Sequence, residues 1–263
     1  MGDAPGSFPR TAAVVGLGLI GGSFALALRA AGAEVLGVDP DPAALALARE
    51  RGAIVSGAAD LAPVAGADLV VIATPLERVA DVAVAAARRM RPGAVLTDVA
   101  SVKAPVVATV QAALPAAVRF VGGHPMAGNE GRGMAAADAA LLRGRAFILT
   151  PTSRTAPEAV AVMEAVIGRL GMRLVLLDPV QHDEFVAQVS HLPYLLSLAL
   201  DRAIADDART VGGPTMQEMT RAARSPAVMW EAICRANRDA ILRALDRFEA
   251  ELAAVRRVLL AQG

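Results

Sequence analysis

With 263 residues the chain can hold two domains of unequal size, and its 55% hydrophobic content is far above that of a disordered chain. Its 26 basic and 26 acidic residues cancel, so it lacks the basic excess that nucleic acid or an anionic membrane surface would demand. A single cysteine, Cys234, excludes a disulfide framework and a cysteine metal cluster and fits a reducing cytoplasm. No apolar run reaches the roughly 18 residues of a membrane span, and residues 1–10 lack the basic-then-apolar build of a signal peptide.

In chain order, residues 11–15 read as a strand, 19–30 as a helix and 34–38 as a second strand. A helix over 42–51, a fully buried strand at 69–73 and a helix over 78–90 follow. Further strands are expected at 94–98, 119–122 and 146–149, then a helix over 157–170 and a last strand at 174–177. β-branched runs alternating with alanine-rich helices specify a parallel sheet covered by helices. After Asp178 and Pro179 only helical periodicity remains, interrupted near residues 211–214. The expected architecture is therefore α/β: a Rossmann domain over 1–178 and an all-helical domain over 179–263. A final helix over 225–260 places Ile241, Leu245, Phe248, Leu252, Val255 and Leu259 on one stripe, for packing internally or, by preference, on a second subunit.

Gly16, Gly18 and Gly21 form G-x-G-x-x-G between the first strand and the first helix. Gly16 permits the tight turn, Gly18 admits a pyrophosphate to the backbone, and Gly21 lets helix and strand pack closely. The helix start offers unpaired N–H groups to the phosphates. Leu19 and Ile20 within the loop, and Thr74 and Pro75 after the 69–73 strand, belong to the same cofactor site. Asp39, ending the second strand, is placed for the adenosine ribose hydroxyls. Asp39 and Asp41 with no neighbouring arginine favour NAD over NADP. FAD shares the loop, but its enzymes are usually much larger.

Three histidines occur. His124 follows a strand end in a glycine-flanked loop, where ligands bind in parallel sheets, and it is the best placed base of near-neutral pKa. The alternative is a loop histidine bonding its own turn. Ser101, in Asp98-Val99-Ala100-Ser101-Val102-Lys103, can bond a substrate hydroxyl, orient the histidine, or simply cap a helix. Lys103 is the only lysine, suited to an anion or an ordinary surface position. His191 has the apolar neighbours of a core residue. His182 beside Asp183 and Glu184 reads as solvated. Arg221 can clamp a carboxylate bidentately or be one more surface arginine. Against the arginine-rich, asparagine-poor composition, Lys103, Asn129 and Asn237 stand out as exceptions.

Together these segments resemble the prephenate and arogenate dehydrogenase family over nearly the whole chain. The matching pieces are Gly16 to Ser23, Asp98 to Lys103, Gly122 to Glu130, Val189 to Pro193, and Thr220 to Trp230. The resemblance implies NAD-dependent oxidative decarboxylation in a helical-domain homodimer, with the active site between the domains. It implies that His124 accepts the hydrogen bond of the ring hydroxyl, Ser101 partners it, Arg221 binds a substrate carboxylate and Glu130 lies near the cleft. His191 is implied in the substrate site, with Tyr194 where some relatives carry a second histidine. Prephenate is preferred over arogenate. Ending at Gly263, the chain is expected to lack the regulatory domain of some members, so that tyrosine feedback would act at the active site. A β-hydroxyacid dehydrogenase would need a lysine in the second domain, and none exists there; a non-catalytic NAD sensor is the other rival.

Overall fold

A computed structural model describes residues 7–261, so residues 1–6 of the Gly- and Pro-rich opening lie outside it. The chain divides into two compact units, Met1–His182 and Asp183–Gly263.

The first unit is built on eight strands: β1 (Thr11–Val15), β2 (Glu34–Val38), β3 (Ser56–Ala58), β4 (Leu69–Ile72), β5 (Val95–Asp98), β6 (Arg119–Pro125), β7 (Ala146–Thr150) and β8 (Arg173–Leu176). They lie in the order β3-β2-β1-β4-β5-β6-β7-β8. The helices are α1 (Leu19–Ala30), α2 (Pro42–Glu50), α3 (Leu76–Ala87), α4 (Ala104–Ala113) and α5 (Pro157–Arg169). Two-residue periodicity sends alternate side chains of each strand to opposite faces. Ala12 and Val14 pack with Phe24, Leu28, Leu45 and Met163 of α1, α2 and α5. Ala13 and Val15 join Val79, Ala83, Val106 and Val110 of α3 and α4 on the other face. Both faces are covered, which is why the central strands read as continuous apolar runs rather than alternations.

The sheet is not wholly parallel, as the alternation of elements had suggested. β1 to β6 run parallel, but β7 pairs antiparallel with β6, and β8 follows β7 in parallel. Antiparallel pairing leaves no trace in a five-residue apolar run, because both kinds of buried strand have the same composition. β3 and α4 also go beyond the expected elements. β3 is three residues containing a glycine, and α4 begins with Ala104 and Pro105 directly behind the Asp98–Lys103 turn.

Among its described residues the second unit contains helices and connecting turns but no strand. α6 (Pro179–Val186) carries the boundary and runs into a π-helical turn at Ala187–His191. Then come α7 (Leu192–Ala203), α8 (Pro214–Thr220), α9 (Ala227–Ala236) and α10 (Arg238–Ala261). The long final helix expected over 225–260 is broken at Asn237, whose φ of −116° and ψ of 27° leave the helical region. Its buried side-chain amide donates to the Asp183 carbonyl at 2.7 Å and meets His191 Nδ1 at 3.2 Å. Those bonds repay the interrupted helix. The apolar stripe divides accordingly. Ile241, with Leu245 and Phe248, packs against Ala187 and Leu192, whereas Leu252, Val255 and Leu259 are exposed, as is Val258 beside them in sequence.

Candidate active site

Five of the segments singled out in the first unit lie at the carboxyl ends of parallel strands. The glycine loop follows β1, Asp39 follows β2, Thr74 and Pro75 follow β4, Ser101 follows β5, and His124 closes β6. Because β1 to β6 are parallel, these residues share one edge of the sheet, the edge at which doubly wound folds bind ligands near the change in strand order. Here that change falls between β1 and β4.

The glycine loop has the shape of a dinucleotide cradle. Gly16 has φ of +95°, and a Cβ there would lie 2.5 Å from the Ala73 carbonyl oxygen. At Gly21 a Cβ would fall 1.9 Å from the Gly16 carbonyl oxygen, so neither position admits a side chain. Gly18 is the reverse: nothing lies within 4 Å of its Cβ position, and the backbone is open to a close-approaching group. α1 starts at Leu19 with no side-chain cap at Gly18, leaving its first N–H groups for an anion. Asp39 is aimed into this loop, its Oδ2 accepting from Leu17 N at 2.7 Å and its Oδ1 from Asp41 N at 2.9 Å. The Thr74 hydroxyl is buried with no hydrogen-bond partner among the described residues. Thr74 borders the Gly16 turn, its N 3.1 Å from the Gly16 Cβ position, and an orphaned hydroxyl there suits a ligand that supplies the missing bond.

Asp98 organises the turn that carries Ser101. Its Oδ1 accepts from Ala100 N at 2.9 Å and from the Lys103 ammonium. Lys103 is fully buried, not a surface residue, and its Nζ also donates to the Gly123 carbonyl at 2.7 Å. One ammonium thus ties the Ser101 turn to the residue preceding His124. Glycine is required there: a Cβ at Gly123 would meet the Asp98 carbonyl oxygen at 2.6 Å and the Phe147 ring at 2.7 Å.

His124 was expected in a loop, but it remains in β6. The parallel pairing to β5 ends at Val121, and the antiparallel return of β7 holds Gly122 to Pro125, with His124 opposite Ile148. Its buried ring lies edge-on to His182, with Nδ1 2.8 Å from His182 Nε2. His182 is therefore not solvated; it is fully buried. The acidic neighbours suggested water, but the helical turn of α6 carries His182 inward and Glu184 outward to an ion pair with Arg243. Glu130 is exposed on the connection after β6. Arg51 holds a later part of that connection, donating to the carbonyls of Met134 at 2.6 Å and Ala137 at 2.7 Å.

In the second unit His191 and Tyr194 surround Trp230. The Tyr194 ring stacks on the indole at 3.8 Å and 3°, and His191 meets its edge at 6.0 Å. Burial, followed by the nearby Cys234 thiol, raises the Tyr194 pKa above its usual 10.0 despite Arg202, so its hydroxyl stays protonated at neutral pH. Arg221 is exposed at the end of α8, directly after buried Thr220.

Residues 24–176 match the family described as prephenate dehydrogenase, nucleotide-binding domain, and residues 178–263 match prephenate dehydrogenase, dimerization domain. The chain belongs to the prephenate dehydrogenase family. The prephenate dehydrogenase of Bacillus subtilis is 31% identical over 94% of this chain and 69% of its own length. The A. aeolicus prephenate dehydrogenase, solved with hydroxyphenyl propionate and NAD+, superposes with a TM-score of 0.88 at 28% identity, covering 96% of this chain and 91% of that one. Synechocystis arogenate dehydrogenase gives 0.83 at 29% identity over 96% and 92%. The sequence reading missed the burial of two residues beside the candidate site, Lys103 against the Gly123 carbonyl and His182 against His124. Lys103 carried one legible signal, its isolation as the only lysine in an arginine-rich chain.

Proposed function

We propose that this chain catalyses the oxidative decarboxylation of prephenate to 4-hydroxyphenylpyruvate with NAD. The observation that carries the reading is the anchoring of His124: a base at the ligand-binding edge of the sheet, its ring held by His182 and the Gly123 carbonyl before it held by Lys103. The residues present fit NAD, with Gly16, Gly18 and Gly21 shaping the pyrophosphate seat, Leu19 and Ile20 offering backbone N–H groups, Asp39 taking the ribose, and Thr74 and Pro75 flanking the loop. NAD, when bound, accepts the hydride. His124 draws on the proton of the ring hydroxyl, Ser101 orients that hydroxyl, and Arg221 binds a substrate carboxylate. Glu130, His191 and Tyr194 complete the substrate site. One hydride leaves the ring carbon bearing the hydroxyl, and the ring carboxylate departs as carbon dioxide, leaving its bonding pair in the ring. The hydroxyl proton then returns to the phenol oxygen. Aromatisation supplies the driving force, so the protein's task is to position the groups.

The domains of this reading are 1–178 for cofactor and 179–263 for substrate and dimerisation, in a cytoplasmic homodimer. Exposed Leu252, Val255, Val258 and Leu259 on α10 support a second copy as the partner. Similarity to an arogenate dehydrogenase, matched as closely in identity as the prephenate enzyme, supports arogenate as the second substrate reading. A side-by-side assay of prephenate and arogenate, each with NAD and NADP, is expected to give the highest kcat/KM for prephenate with NAD. Activity with arogenate alone would replace the substrate, and no turnover with either would remove the reading. Arg221→Ala is expected to raise the substrate KM on the order of 10- to 100-fold through the lost charge-assisted bonds, with NAD affinity unchanged. An unaltered KM would take Arg221 out of the site.

A further inference from the structure

We infer that His182 is a positioning residue that fixes the tautomer of His124; this rests on the reading of His124 as the base. The two rings share one short contact, His124 Nδ1 to His182 Nε2 at 2.8 Å, and a contact between neutral imidazoles holds a single proton. Only two arrangements satisfy it. Either His124 carries its proton on Nδ1 and donates to His182, or His182 carries it on Nε2 and donates to His124. In the first, Nε2 of His124 is the unprotonated nitrogen and can take the hydroxyl proton. In the second, His124 has its proton on Nε2, and the base is lost. Base chemistry therefore requires His182 to be the acceptor, with its own proton on Nδ1.

The surroundings hold the His182 backbone in place. It lies in the first turn of α6, where its backbone N–H donates to the Asp178 carbonyl at 2.8 Å and Asp178 Oδ1 accepts from Val180 N at 2.8 Å. Both rings are buried, so water does not compete well for the shared proton. The geometry parallels the orientation of a catalytic histidine by a buried carboxylate, with a neutral imidazole in its place. A neutral acceptor sets the orientation without adding a negative charge close to a dianionic substrate.

With only three histidines in the chain, nitrogen-15 labelling of the imidazoles reads each tautomer directly in the full-length protein. The expected spectrum has His124 protonated at Nδ1 and bare at Nε2. His182→Leu removes the acceptor and is expected to lower kcat on the order of 10- to 100-fold, with substrate KM and NAD affinity held. His182→Gln, whose side-chain carbonyl can accept from Nδ1, is expected to recover most of that loss. A wild-type spectrum with the His124 proton on Nε2, a His182→Leu variant with wild-type kcat, or a Gln variant no better than Leu would each overturn the inference. If His124→Asn itself turns over normally, the base reading falls instead. The wild-type spectrum is read whether or not the Leu variant folds.

Discussion

His124→Asn is expected to lower kcat by at least about 10²-fold, the usual worth of a positioned general base, with NAD affinity unchanged. The substitution is selective. An asparagine amide reaches roughly where Nδ1 stood and can still meet His182, while nothing replaces Nε2. The backbone frame of Gly123, Lys103 and Asp98 is also left intact. The loss should therefore appear in kcat and kcat/KM together, as for an interaction made only in the transition state. Steady-state rates with NADH absorbance, beside a titration of NAD binding, separate the two. Near-normal turnover would mean that the proton goes elsewhere.

Lys103→Met should be the most damaging single change to stability. The ammonium is fully buried, and its removal leaves the equally buried Asp98 carboxylate without its counter-charge; Asp98 Oδ2 already lacks a hydrogen-bond partner among the described residues. Breaking a buried pair from one side costs about 3–5 kcal/mol. In a unit of this size that lowers Tm by roughly 10 °C. Asp98→Asn combined with Lys103→Met should restore part of the loss, since two neutral groups avoid the isolated charge. Thermal unfolding followed by circular dichroism measures both variants. A Tm for Lys103→Met within a degree or two of wild type would deny the clamp its role.

Much of this arrangement is legible in the chain. β1, α1 and β2 begin and end where periodicity and the glycine loop put them, because strong local signals and tertiary packing agree there. The direction of β7 is not legible, since a buried antiparallel strand and a buried parallel one share a composition. That reversal keeps His124 within a strand instead of a loop. The break at Asn237 and the burial of His182 were hidden for a related reason: each depends on a partner distant in sequence, the Asp183 carbonyl for one and His124 for the other. Local pattern reads which way a helix faces; it does not read which polar group waits across the gap. Lys103 and Asn237, exceptions to the composition, both proved to be buried residues that bridge segments.

The most direct test follows NADH and carbon dioxide together in one reaction of purified protein with prephenate and NAD. The account predicts that both appear at equal rates and in equal amounts, since hydride loss and decarboxylation are two parts of one aromatisation. NADH without carbon dioxide, or neither product from prephenate or from arogenate, would contradict it.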